Sequence, residues 1–408
     1  MGSTTTTSPS TSPFPDQRSD EQILADLQAF TPVDPSSERN IWAFWDRGLA
    51  ACKPWCQRNI IGWVRRHGHS WTVRVLDTVD GSPNHYSKYI PTTAAFFPDT
   101  FLKRTMTGTH VAPHAADLIR LPLLHLYGGA WIDVGFMLFR GLDDLCWNTL
   151  EDPANPLEIA GFKMTISPEV GMFWNGFIAA RKDCVAVKHW HDIFLKVWQG
   201  RDSTAGMSDH ALLRHLPRYE VPSSTGKPPA FQYAHFVDYL AQMFCLERLR
   251  HLRDPALDWD GPAFFAQRVL LYECVTEVYW AQHLTHWDGR KQFEMLSCQR
   301  EGAEQNEDYK EAEAFVADIL GMSSTMKLSH GLVTEQREYL ARIWDEPENA
   351  DADRRPGTFA AHLRWASLHF QQTRELTPVS LPLREDALLT GGLLDAEGKP
   401  HPQWESVS

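Results

Sequence analysis

The chain has 408 residues, enough for one large α/β domain with extensions or for two domains, and its 43% hydrophobic content can fill a large core. A formal charge of -13 disfavours sequence-independent binding to nucleic acid, leaving only a local basic patch for such a partner. The seven cysteines are sparse and odd in number, and the Cys52–Cys56 pair has no second pair to complete a zinc site, so reduced, buried thiols in a cytoplasmic protein are expected.

In chain order, residues 1–36 are expected to form a disordered tail with one short helix, Glu21–Phe30. Met1–Pro15 are rich in Ser, Thr and Pro and lack the basic start and apolar run of a signal peptide. Order is expected from Asn40. Ile41–Trp45 is a buried strand, Lys53–His67 an amphipathic helix stopped by Gly68, and Trp71–Leu76 a second strand. This β-α-β opening implies a parallel sheet. A helix over Ala115–Tyr127 contains Pro122, which should kink it, and ends at Gly128-Gly129. Strands follow at Ala130–Asp133, Phe136–Phe139 and Asn175–Ala180, and helices at Ala186–Trp198 and Glu301–Gly321. Pro347–Gly357 reads as an acidic linker before a last helix, Phe359–Phe370. The expected organisation is a tail (1–36), a catalytic domain (37–345), and a linker with a helical extension (346–408). No stretch is apolar for the roughly 20 residues that span a bilayer, and no Asn-x-Ser/Thr acceptor occurs. The 16 tryptophans fill an aromatic core or stack on sugars in a cleft.

The chemistry is concentrated in Asp117–Leu138, whose layout is helix, Gly-Gly, short apolar strand, acid. The strand carries Asp133 to the carboxyl end of a parallel sheet, where open α/β folds bind ligands. Asp117 and Arg120 are three apart and share a helix face. Carboxylates that hold a hard cation, with Arg or Lys beside them, suit a diphosphate leaving group. Phosphate-loop, dinucleotide, hydrolase-elbow and zinc-protease motifs are absent from the sequence.

This stretch resembles the capsular polysaccharide synthesis protein family and the related glycosyltransferase family 32. The resemblance rests on Ala116, Asp117, Arg120, Tyr127, Gly128, Gly129, Trp131, Ile132 and Asp133, with weaker matches at Trp42, Trp45, Asn175–Ala180 and Lys327–His330. It covers about residues 40 to 332. It implies a GT-A-like fold: a mostly parallel, Rossmann-type sheet flanked by helices, with a helical C-terminal extension. It also implies transfer of a hexose from a nucleotide-diphosphate sugar to a hydroxyl acceptor, with retention of configuration. The site it implies has Asp133, Asp117, Arg120 and Asn175 as catalytic residues. Trp42, Trp45, Asp117, Arg120, Gly128, Gly129 and Lys327 would contact substrate, and Asp133 with His330 would hold Mn²⁺ or Mg²⁺. The absence of a membrane-spanning stretch favours a small, soluble acceptor.

Gly135 departs from the pattern, because the third position of the D-x-D motif then carries no carboxylate. A cation held by Asp133 and His330 alone would bind weakly until the donor pyrophosphate supplied further oxygens. Two other readings stay open. One is an arginine-containing cyclodipeptide synthase on the same fold, with aminoacyl-tRNA as partner; its D-D-x-x-E signature is missing, because Leu, Cys and Trp follow Asp143-Asp144. The other is a binding protein on a decayed transferase scaffold. Asp143-Asp144 reads as a helix start, Glu273 and Glu277 as an acid/base pair or a solvated helix face, and Asp209-His210 as a loop near the acceptor.

Overall fold

The computed structural model describes residue 16 and residues 18–167, 170–217, 237–301, 305–330 and 338–396. Its first βαβ unit follows from the apolar periodicity. Strand β1 (Asn40–Phe44) is fully buried, and it leads through helix Pro54–His67 to β2 (Thr72–Leu76). The two strands pair in parallel from Asn40↔Thr72 to Phe44↔Leu76. Ile60, Ile61 and Val64 face the core from the intervening helix.

Helix Val111–Tyr127 continues through Pro122 and starts four residues earlier than the sequence suggests. It leads into β3 (Gly129–Ile132), parallel to β1, and β4 (Phe136–Leu138). The long antiparallel strands β5 (Ile159–Ser167) and β6 (Val170–Ala180) follow. Two short strands, β7 (Leu252–Asp254) and β8 (Trp259–Asp260), pair with each other away from the main sheet. The edge strand β9 (Val269–Glu273) runs parallel to β5. The main sheet has the order β2-β1-β3-β6-β5-β9, with β6 antiparallel to both neighbours. The fold class is therefore α/β with a mostly parallel central sheet between helices, as expected. Strand β10 (Thr325–Lys327) pairs antiparallel with β4, outside the main sheet.

Two expectations about the ends are corrected. Residues 1–15 lie outside the described residues, but the chain packs against the domain well before Asn40. Helix Asp20–Leu27 opens on a capping box between Ser19 and Gln22 and buries Ile23 and Leu27. Arg74 then donates to the carbonyls of Thr31 (2.9 Å) and Pro32 (2.6 Å). Burying the two aliphatic side chains is worth roughly 1.5–3 kcal/mol each, so residues 18–35 are structural. The acidic stretch Pro347–Gly357 is likewise no free linker. Asp353 is buried between Arg58 and Arg364, partners nearly 300 residues before it and eleven after it. Beyond the last helix, Phe359–His369, strand β11 (Leu389–Thr390) pairs in parallel with β7.

Tryptophans 42, 55, 63, 131, 147, 190, 198 and 344 are almost completely buried, so the aromatic content is chiefly core. The cysteines are unpaired, and all but Cys298 are buried. Among the described residues, no helix is long and apolar enough to cross a membrane.

Candidate active site

Strands β1, β2 and β3 run parallel, so Trp45, Asp77 and Asp133, which follow them, lie along one edge of the sheet. Asp133 is fixed there by its backbone N–H, which donates to the Gly176 carbonyl (3.0 Å). Gly176 is required at that place: a Cβ would meet the Trp174 ring at 2.3 Å and Asp133 Oδ2 at 3.0 Å.

Both carboxylate oxygens of Asp133 have fixed partners. Oδ1 accepts from Trp131 Nε1 (3.0 Å) and lies 3.6 Å from Arg120 Nη2, while Oδ2 pairs with Lys327 Nζ. Lys327 reaches it because the β4–β10 register sets Lys327 opposite Phe136, three residues past Asp133. Its ammonium lies 4.6 Å from the Trp174 ring centroid. Burial opposes ionisation of Asp133, but the charges of Lys327 and Arg120 and the hydrogen bonds from Lys327 and Trp131 outweigh it, so the carboxyl is held below the usual range. The Asp133 side chain keeps 27% of its surface exposed, against 5% for Arg120 and 15% for Lys327, so a ligand meets the acid first.

Behind this pair lies a second tier. Arg120 Nη2 binds Asp117 Oδ1 at 3.0 Å, and Nη1 donates to the Asn175 carbonyl at 2.7 Å. Asn175 Nδ2 donates to Asp117 Oδ1 (3.2 Å) and to Gln242 Oε1 (2.9 Å), and Gln242 Nε2 donates to the Asp117 carbonyl. His114 Nδ1 faces Asp117 Oδ2 at 3.3 Å, and its Nε2 faces the Thr204 hydroxyl at 3.2 Å. Tyr239 packs its ring on His110 and His114. Burial first, then the charges of Asp117 and Asp133, push its phenol up to about 12, so it stays protonated. Arg120 Nε is buried without an acceptor among the described residues.

The structure thus brings Asp133, Asp117, Arg120, Asn175 and Lys327 together. It separates the other sequence candidates. Trp42 is fully buried and donates to the Gly128 carbonyl at 3.0 Å, which makes it a core residue. Gly128 and Gly129 lie at the opposite end of β3, roughly 13 Å from Asp133 along a strand. Both have positive φ (65° and 103°), and a Cβ on Gly129 would stand 2.2 Å from the Asn40 carbonyl oxygen, so they serve the turn. Trp45 is half-buried beyond β1, and its buried Nε1 has no partner among the described residues. Asp143 pairs with Arg39 at the start of a helical segment, as the Asp-Asp sequence suggests. Glu273 accepts from Thr165 (2.6 Å), whereas buried Glu277 binds Arg374 (2.7 Å) and Ser324 (2.6 Å), so they form neither an acid/base pair nor a solvated face. His210 caps a local turn through Leu212 N–H (3.2 Å).

The donor set does not fit the expected divalent cation. His330 Nε2 is paired with Asp345 Oδ2 at 2.9 Å, an acid that also accepts from Trp55. Among the described residues, no group of three or more His, Cys, Asp or Glu side chains is arranged around a common point. At position 135 a Cβ would meet the Leu328 carbonyl oxygen at 2.5 Å, so the backbone just past β10 occupies the space of the missing side chain. A dication on Asp133 would face the Lys327 ammonium; at about 4 Å and an effective dielectric near 20, that repulsion is roughly 8 kcal/mol.

Gln242, His114, Trp174 and Tyr239 complete the cluster and were not singled out in the sequence. His114 had a signal, since it is three residues before Asp117 on the same helix face. Gln242 had none, because only the packing of helix Ala241–His251 against β6 brings it to Asn175.

Residues 17–208 match the family model described as capsular polysaccharide synthesis protein. The chain is 60% identical to glycosyltransferase afumC of Aspergillus fumigatus over 92% of its own length and 96% of that protein's. This chain belongs to that glycosyltransferase family. It is also 44% identical to O-glycosyltransferase braB of Annulohypoxylon truncatum (93% and 91% covered) and 38% identical to O-glycosyltransferase PaGT of Phomopsis amygdali (91% and 92% covered). The chain is therefore a transferase acting on sugar, and the amide-forming and non-catalytic readings of the sequence give way.

Proposed function

We propose that this glycosyltransferase moves a hexose from a nucleotide-diphosphate sugar to the hydroxyl of a small acceptor, with retention at the anomeric carbon. The supporting observation is the pairing of Asp133 with Lys327 and Arg120 at the carboxyl edge of the sheet. Two cations held at a ligand-accessible strand end suit a leaving group that departs as a diphosphate. The names of two relatives, both O-glycosyltransferases, favour an oxygen acceptor.

In this reading Asp133 orients the sugar and steadies the positive charge that develops at the anomeric carbon. Its depressed pKa keeps it anionic throughout the neutral range. Asn175 and Asp117 hold Arg120 in place, so the guanidinium is aimed before substrate arrives. Trp45, half-buried at the neighbouring strand end, offers its indole ring to the nucleotide base. A cytoplasmic setting suits a diffusible donor and acceptor.

Incubating the protein with a panel of nucleotide-sugars, without acceptor, tests the donor class. Slow release of one nucleoside diphosphate is expected. The reading fails if no donor is consumed with any of a panel of phenolic and aliphatic alcohols present. Proton NMR of the first product gives the anomer, and inversion would reject retention.

A further inference from the structure

The place that the side chain of a second carboxylate would take at position 135 is filled by this chain's own atoms. Leu328 N–H donates to the Gly135 carbonyl at 2.9 Å, which continues the β4–β10 ladder past Lys327 and locks the backbone of β10 against Gly135. The Leu328 carbonyl oxygen stands 2.5 Å from where a Gly135 Cβ would be. Lys327 runs across the rings of Trp174 (4.6 Å) and Phe136 (5.5 Å) and onto Asp133 Oδ2. On the other oxygen, Trp131 Nε1 donates at 3.0 Å and Arg120 Nη2 lies at 3.6 Å. A cation at Asp133 needs those lone pairs, at roughly 2.0–2.6 Å, and would have to displace the Lys327 ammonium beside the Arg120 guanidinium.

We propose that Lys327, with Arg120 beside it, takes the place of the divalent cation, so that transfer proceeds without a metal. The idea rests on the diphosphate-donor reading above. On donor binding, the Lys327 ammonium shifts from Asp133 towards the diphosphate, and Asp133 turns to the sugar. The bond between the anomeric carbon and the diphosphate oxygen breaks, and the electron pair leaves with that oxygen. The acceptor oxygen forms the new bond to the anomeric carbon, and its proton passes to the released diphosphate. Lys327 and Arg120 carry the charge that builds up on the leaving group, and no oxidant or reductant enters. The rings of Trp174 and Phe136 flank the ammonium and limit its hydration, which strengthens its field at the diphosphate.

The test uses the full-length protein. Calorimetric titration with Mn²⁺, alone and in the presence of UDP or GDP, is expected to show no saturable site in the wild type. One Mn²⁺ site that Asp133→Asn abolishes would overturn the proposal. Donor turnover after dialysis against EDTA should stay within twofold of turnover in Mn²⁺. A loss that Mn²⁺ or Mg²⁺ restores would also overturn it. Lys327→Met keeps the stem against Trp174 and should weaken diphosphate binding tenfold or more and cut turnover a hundredfold or more. Lys327→Arg should recover part of both, and an unaffected Lys327→Met would reject the assignment. The Mn²⁺ titration needs no turnover, so it decides the cation question by itself. If it is negative and no nucleotide-sugar is consumed either, it is the donor reading that has failed.

Discussion

The two ends of strand β3 share one short motif and do opposite things. At the amino end, Gly128 and Gly129 adopt positive φ and leave no room for a Cβ beside Asn40 and Glu38. At the carboxyl end, Asp133 meets Lys327, Arg120 and Trp131 in a charged cluster open to ligand. A motif read as one functional string is therefore a geometric constraint at one end and chemistry at the other. Substitutions at the two ends should accordingly fail in different assays.

The largest effect is expected at the amino end. Gly129→Ala forces an alanine to φ near 103° and drives its Cβ into the Asn40 carbonyl, so urea unfolding should show a loss of roughly 4 kcal/mol or more, or no soluble protein. A stable Gly129→Ala protein with impaired turnover would place the glycine back in the active site.

Acid should separate the scaffold from the site. His67 and His191 are buried and held at about 3 by desolvation, below their ordinary value of 6.5. The unfolded chain takes up these two protons as pH falls below 6.5 and the folded chain does not, so stability is lost towards pH 3. Between pH 7 and pH 5 the loss is about 2 kcal/mol for each histidine. Asp133 titrates below the usual carboxylate range, so its charge is unchanged over that interval. Melting temperature should therefore fall from pH 7 to pH 5 while turnover per folded molecule holds steady. A parallel fall in both would mean that scaffold and site titrate together.

Next in size is the carboxyl end itself. Asp133→Asn preserves shape, and the hydrogen bond from Trp131 can persist, so unfolding should change by only about 1 kcal/mol. Turnover should drop about a hundredfold or more, in keeping with loss of a preorganised charge. Turnover within a few-fold of wild type would contradict the site assignment.

The smallest effect expected is at Trp45. Trp45→Phe removes a buried N–H that has no partner among the described residues, so stability should move by less than about 0.5 kcal/mol. Nucleoside diphosphate affinity should weaken roughly fivefold, from the smaller ring face left for stacking. Unchanged affinity would remove Trp45 from the donor site.

Local pattern determined much of this molecule by itself. The alternation of apolar runs with Gly and Pro stops located the first βαβ unit, the helix before β3 and β3 itself to within a few residues. The i, i+3 spacing of Asp117 and Arg120 placed both on one face, and the ion pair between them is formed. Tertiary structure decided what sequence spacing cannot encode, namely which distant residue reaches a given carboxylate. Lys327 lies 194 residues after Asp133 and arrives only through the pairing of β10 with β4. The same pairing brings the Leu328 carbonyl against Gly135 and leaves no room for a side chain there. Trp42 and Trp45 are three residues apart, yet one is sealed in the core and the other stands half-exposed beyond the strand end. Composition could count these tryptophans but not divide them, because burial depends on the layers that close over a strand and on where the strand stops.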